Sequence, residues 1–323
     1  MTPPPVSLPF WQARHCLVAG GTGFVGRHCV EALLDAGARV RMTVHQRPPE
    51  IADKQLELVQ ADLTRREDCL RAMQDIDVVI HAAGSVGAAG VGPQDALLGI
   101  GDNLTLTSNL LWAAWTAGVE RALVFSSSTG YPAADHPVTE DEFWTGPVHP
   151  SYHGYGWMRR YVERLAEFTA ERSGMHIAIV RPGAIYGRHD KFDAASGHVV
   201  PSLILRAEAR EDPFVVWGSG DEIRDFLHVS NFVQGCLIAL ERGGSCDPIN
   251  IASGESVSVR DLVGLVLSAC GHDAATVVFD PTRPTAIPRR LIDIAKARRL
   301  GFTPRITLAD GLADTVSWLR KTH

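Results

Sequence analysis

The sequence predicts an α/β fold, a doubly wound parallel sheet with a smaller C-terminal lobe. Three observations predict it. Short apolar runs alternate with helix-like stretches from residue 15 to residue 182. The runs are nearly continuous in apolar residues, as in strands covered on both faces. After Pro182 the rhythm changes, and Pro and Gly punctuate shorter strand-like pieces. Alternating strands and helices imply crossover connections, and so a parallel sheet.

The elements follow in order. Residues 1–13 are proline-rich and read as an extended arm or, equally, a disordered tail. They show no basic stretch leading into an apolar run, so no secretory leader is expected. Strands are expected at 15–20 (HCLVAG), 39–44 (RVRMTV), 56–61 (LELVQA), 78–83 (VVIHAA), 122–127 (ALVFSS) and 177–182 (IAIVRP). Helices are expected at 24–36, 65–74, 102–117 and 155–173. A further helix at 229–242 and a strand in PINIAS (248–253) should return to the main sheet. Residues 14–182 and 225–254 then form a dinucleotide-binding domain of the Rossmann type. Residues 183–224 and 255–323 form the second lobe at the C-terminal strand edges, where ligands of such sheets bind.

Composition narrows the function classes. With 45% apolar and 21% charged residues over 323 positions, the chain reads as a globular enzyme. A net charge of −6 argues against nucleic-acid binding, which needs a basic surface. No apolar run approaches the roughly 20 residues of a membrane span. The six cysteines are scattered without CxxC spacing, and the thirteen histidines form no HExxH pattern. Reduced thiols, no metal site and a cytoplasmic location are expected.

The first strand runs into Gly20, Gly21, Thr22, Gly23, Phe24, Val25 and Gly26. Glycines at 20, 23 and 26 allow a tight turn, close backbone approach to a pyrophosphate, and close helix–strand packing. Helix N-terminal N–H groups and the macrodipole then favour the phosphates. The second strand ends Thr43-Val44-His45-Gln46-Arg47, with no carboxylate for a ribose 2′-OH and with Arg47 available to a 2′-phosphate. The cofactor expected is NADP(H), with NAD(H) as the alternative. Asp62 and Leu63 stand where adenine is met, and Ala82, Ala83 and Gly84 give small residues for cofactor approach.

Serines 126–128 end the fifth strand, and Tyr155 opens the following helix with Arg159 four residues on, on the same helical face. A cation beside a phenol favours the phenolate, so the pair suits proton transfer. A serine hydroxyl beside it can hydrogen-bond the substrate oxygen.

With these motifs the chain resembles the extended short-chain dehydrogenases/reductases, the NAD-dependent epimerase/dehydratase family, and within them the GDP-L-fucose synthases. The strings that carry the likeness are GGTGFVG (20–26), SSSTGYP (126–132), HPVTEDEFWTGP (136–147), RPGAIYGRHDKFD (181–193), GHVVPSLILR (197–206), VVWGSGDEIRDFLHV (215–229) and IPRRLID (287–293). The resemblance implies that Ser127 and Tyr155 are the catalytic serine and tyrosine, and that Pro182 borders the cofactor. It implies that His198 is an acid/base and that Trp217 stacks on the nucleotide base. Arg224 and Arg290 would contact the diphosphate-linked substrate. It also implies a homodimer through the helices after the fourth and fifth strands. Two departures stand out. Thr129 replaces a cysteine that serves in C3/C5 epimerisation, and Arg159 replaces the lysine of a YxxxK motif.

The activity these readings imply is NADPH-dependent reduction at C4 of a nucleotide-linked 4-keto-6-deoxy sugar, with GDP the expected nucleotide, without C3/C5 epimerisation. A 4-epimerase or 4,6-dehydratase with tightly bound NAD is the alternative, because a shared fold does not fix the reaction. An NADP-binding sensor or scaffold of weak catalytic power is the alternative of another class.

Overall fold

A computed structural model describes residues 7–51, 53–84, 93–193, 197–283 and 287–322. Seven parallel strands form the main sheet. Six are β1 (His15–Ala19), β2 (Arg39–Val44), β3 (Leu56–Gln60), β4 (Val78–His81), β5 (Arg121–Phe125) and β6 (His176–Pro182). The seventh, Ile249–Ile251, lies beside β6, and the order across the sheet is Ile249–Ile251, β6, β5, β4, β1, β2, β3. The order reverses between β1 and β4, which opens a crevice at their C-terminal ends.

Alternate side chains of each strand enter opposite cores, as the pleat requires. Val18, Val40, Ile80 and Val180 meet α2 (Phe24–Asp35) and α7 (Val229–Arg242) on one face. Leu17, Val79, Val124 and Ile179 meet α3 (Arg66–Ala72), α4 (Pro93–Ala117) and α5 (His153–Ser173) on the other. Burial on both faces explains the apolar runs of these strands. At the sheet edge β3 departs from the pattern, and Leu58 is 53% exposed there.

Two expectations need correction. Part of the extended arm is helical: α1 (Leu8–Gln12) carries Pro9 in its first turn, where the missing N–H costs nothing. Trp11 of α1 is fully buried in the α2–α7 core, so this segment belongs to the globular unit. Residues 1–6 lie outside the described residues. In addition, α4 begins at Pro93 rather than at 102.

The second lobe has its own core. Phe214–Trp217 pairs with Val277–Asp280, and Ala184–Tyr186 with Phe226–His228. Helices α6 (Val199–Glu208), Val259–Cys270 and Leu308–Thr322 close around them. Among the described residues no helix is long and apolar enough to cross a membrane, and no group of three or more His, Cys, Asp or Glu is placed to hold a metal ion. All six cysteines are free.

Candidate active site

The glycine turn leads from β1 into α2. Gly20 has φ +82°, and a Cβ there would lie 2.6 Å from Ala83 Cα. A Cβ on Gly26 would lie 2.1 Å from the Gly20 carbonyl oxygen. The end of β4, the turn and the first turn of α2 therefore touch through backbone alone. The Gly20 N–H donates to Thr43 Oγ1 at 2.8 Å, which ties the turn to β2. Gly23 caps α2 without a side chain, and no acidic residue stands in the first turn. Helix N–H groups there are left to an anion, so Thr22, Phe24 and Val25 surround a cradle that fits a dinucleotide diphosphate.

The other expected cofactor residues lie at or just beyond the C-terminal ends of β2, β3, β4 and β6. Arg47 is exposed just beyond β2. Asp62 follows β3, and its Oδ1 accepts from both the N–H and the hydroxyl of Thr64, at 3.0 and 2.7 Å. Those bonds hold the carboxylate below its ordinary pKa. Leu63 is buried, and its carbonyl accepts from Asn109 of α4 at 3.2 Å. Ala82 and Ala83 are half-buried at the end of β4, and Gly84 faces the Asn103 side chain. Pro182 ends β6, half-buried.

Ser127 stands just past β5 in extended backbone and caps a short turn over Ser128–Gly130. Its Oγ accepts from the Thr129 N–H at 3.2 Å and from Thr129 Oγ1 at 3.0 Å. On α5, Arg159 Nη2 donates to the Tyr155 hydroxyl oxygen at 2.5 Å and Nη1 to the Phe125 carbonyl at 2.8 Å. One guanidinium thus links the phenol to the end of the serine-bearing strand. Arg159 does not turn outward to Glu163, its neighbour one helical turn on.

Three buried polar atoms near these strand ends have no protein partner among the described residues: His81 Nδ1, Ser126 Oγ and Arg159 Nε. His81 is a core histidine, bonded through Nε2 to Thr107 Oγ1 at 2.9 Å. Burial, with the Arg159 charge second, pushes its pKa down to about 4.

A second set of polar groups holds the site together. Arg160, adjacent to Arg159, is buried and donates to the carbonyls of Gly130, Phe143 and Gly146. Arg181 of β6 forms two 2.8 Å bonds to the Glu163 carboxylate of α5. It also donates to the Tyr131 hydroxyl oxygen at 3.0 Å and to the Glu140 carbonyl at 2.8 Å. Tyr131, fully buried, donates to Asn250 Oδ1 at 2.7 Å, and burial drives its pKa up. Tyr131 is therefore a structural residue of the turn. Sequence reading missed this network, because charges within a helix read as a solvated face.

On the second lobe, His198 precedes α6, and its Nδ1 lies 3.0 Å from Asp190 Oδ1. That bond raises the imidazole pKa above its ordinary value. Asp190 is buried, and its Oδ2 has no partner. It too was missed, since a lone Asp in a loop carries no spacing signal. Trp217 ends its strand 58% exposed, with the Arg283 guanidinium 5.4 Å from its ring centre. It is no core tryptophan. Arg224 donates to the Ile287 and Pro288 carbonyls, and Arg290 to those of Tyr131 and Pro132. The Arg290 N–H also donates to the Ile223 carbonyl, which brings the two arginines together. Burial lowers the pKa of each. A cavity of about 390 Å³ lies beside them, lined by Ala133, Ala134, Asp135, His149 and Ile287–Arg289. Trp217 does not line it.

Residues 16–252 match the model of the NAD dependent epimerase/dehydratase family. A dTDP-4-dehydro-6-deoxy-D-allose reductase of a Streptomyces species is 33% identical, over 96% of this chain and 97% of its own. GDP-L-fucose synthase 1 of Arabidopsis thaliana is 30% identical, over 96% and 94%. The UDP-glucose 4-epimerase of Thermotoga maritima, solved with UDP-glucose, superposes with a TM-score of 0.85 at 25% identity, over 95% and 99% of the two chains. The chain is thus a nucleotide-sugar-modifying oxidoreductase with a nicotinamide-dinucleotide cofactor, and it belongs to the NAD-dependent epimerase/dehydratase family.

Proposed function

We propose that this protein reduces the C4 carbonyl of a nucleoside-diphosphate-linked 4-keto-6-deoxy sugar with NADPH and leaves C3 and C5 unaltered. The observation that carries the reading is the pairing at the site: a Tyr155 hydroxyl bonded to a cation, beside a residue 129 that is a hydroxyl and not a thiol. Bound in the glycine cradle, the cofactor supplies a hydride to C4. Tyr155 gives its proton to the C4 oxygen, and Ser127 donates a hydrogen bond to that oxygen as charge builds on it. Arg159 holds the phenol against the end of β5. Thr129 is no base for a ring C–H, so His198 lacks the partner that a two-base epimerisation needs.

In this reading residues 14–182 and 225–254 hold the dinucleotide. Residues 183–224 and 255–323 take the nucleotide sugar, with Trp217 for the base and Arg224 and Arg290 for the diphosphate. GDP- and dTDP-linked substrates are both named among the relatives. Trp112 and Trp115 of α4 and Trp157, Tyr161 and Phe168 of α5 are all exposed, which supports a homodimer through these helices. The free cysteines support a cytoplasmic location.

The test is turnover in D₂O with GDP- and dTDP-linked 4-keto-6-deoxy sugars. NADPH should be consumed, with reduction at C4 alone and no deuterium at C3 or C5. Deuterium at both carbons would overturn the assignment of Thr129 as a non-base. Interconversion of C4 epimers without net NADPH use would establish the second reading, which the solved 4-epimerases favour.

Arg47 carries the cofactor preference. Arg47→Ala should raise the KM for NADPH by roughly 10-fold or more, the worth of a charge-assisted hydrogen bond, and leave NADH nearly unchanged. Equal losses for both cofactors would remove Arg47 from the 2′-phosphate site.

A further inference from the structure

We propose that Thr129 is a positioning residue that makes Ser127 an obligate hydrogen-bond donor toward the sugar C4 oxygen. The proposal rests on the reading above that this oxygen is the reacting group.

A serine hydroxyl has one hydrogen to give and two lone pairs to receive. Both receiving positions of Ser127 Oγ are filled by one residue, through the Thr129 N–H at 3.2 Å and the Thr129 hydroxyl at 3.0 Å. Among the described residues no protein group accepts from Ser127 Oγ. Its single hydrogen is therefore directed away from the turn, where solvent or, in its place, a bound ligand accepts it. An unconstrained serine could turn its lone pairs toward the substrate oxygen and repel it. This one cannot do so without breaking a bond to Thr129.

The geometry is held from three sides. The Gly130 N–H donates to the Ser127 carbonyl at 3.1 Å and closes the turn. Arg160 Nε donates to the Gly130 carbonyl at 2.8 Å, so α5 grips the turn from behind. Gly156 lets α5 approach, since a Cβ there would lie 2.6 Å from the Thr129 carbonyl oxygen. Threonine, branched at Cβ, has few χ1 choices once its backbone is fixed. The hydroxyl is also a far better donor than a thiol, whose S–H is weak. Residue 129 can thus polarise Ser127 or exchange a proton with a ring carbon. Threonine commits it to the first task.

A double-mutant cycle tests this, with Ser127→Ala, Thr129→Val, the double variant and Thr129→Ser. Thr129→Val keeps the shape and loses the hydroxyl. It should lower kcat about 10-fold, the worth of the one hydrogen bond lost to Ser127, with substrate KM changed less than about twofold. Thr129→Ser should recover most of the loss. In the Ser127→Ala background, Thr129→Val should cost nothing further, because its target is gone. Wild-type kcat in Thr129→Val would overturn the proposal, and so would losses that multiply in the double variant. Should Thr129→Val fail to fold, Thr129→Ala takes its place in the cycle. Product analysis of the wild type decides the reaction separately. If it interconverts C4 epimers, the reductase reading falls. The cycle, run on that turnover, still decides the role of Thr129, because both reactions pass through the C4 oxygen.

Discussion

Tyr155→Phe should lower kcat by about 10²- to 10⁴-fold, the range of general acid–base assistance, while the affinity for NADPH stays near that of the wild type. In the proposed reaction the phenol gives the C4 oxygen its proton, and phenylalanine keeps the ring while removing that proton. The same logic reaches Arg159, whose guanidinium bonds both the Tyr155 hydroxyl and the Phe125 carbonyl. Arg159→Met should lower kcat by roughly 10²-fold or more, as expected when the acid loses its electrostatic partner. Arg159→Lys keeps one positive charge on a flexible stem and should retain or raise activity. Steady-state NADPH consumption as a function of pH checks all three. A Tyr155→Phe variant with wild-type kcat would remove the phenol from the chemistry. An active Arg159→Met with an unshifted pH profile would do the same for the cation.

The largest loss of stability should come from Glu163→Ala. Glu163 and Arg181 are both almost entirely hidden from solvent, at 0% and 2% side-chain exposure, and each leans on the other. Removing the carboxylate leaves a buried guanidinium without its counter-charge, which costs about 3–5 kcal/mol. Arg181 also donates to Tyr131 and Glu140, so the damage spreads to the turn that carries Ser127. Urea unfolding should show the drop in midpoint. Replacing both partners by apolar residues of similar volume should cost much less than Glu163→Ala, since no buried charge is then stranded. A loss below about 1 kcal/mol for Glu163→Ala would mean that water reaches Arg181 and that the pair is only a surface contact.

What the sequence showed and what it hid divide along physical lines. The strands β1, β4, β5 and β6 were legible because burial on both faces demands continuous apolar runs. The glycine turn was legible because only glycine tolerates the 2.1 Å and 2.6 Å approaches found there. Tyr155 and Arg159 were legible because spacing by four places two side chains on one helical face. By contrast, α1 was hidden: a proline-rich lead-in favours extended chain, and only tertiary packing of Trp11 makes the helix worthwhile. Arg160, Glu163 and Arg181 were hidden because their partners lie 14 to 50 residues away along the chain. Asp190 was hidden for a similar reason, since its meaning depends on where His198 returns to meet it.

The arginines around the site have one property in common. Arg159, Arg160, Arg224 and Arg290 all reach main-chain carbonyls: those of Phe125, of Gly130, Phe143 and Gly146, of Ile287 and Pro288, and of Tyr131 and Pro132. A carbonyl belongs to every residue, whatever its side chain. The loops at the sugar end of the molecule are therefore fastened through a feature that mutation cannot delete. Their side chains are free to drift under selection for new sugars, while the fasteners stay on α5, on the strand Ile223–Arg224 and at Arg290. Diversification of substrate on this scaffold then needs no redesign of its frame.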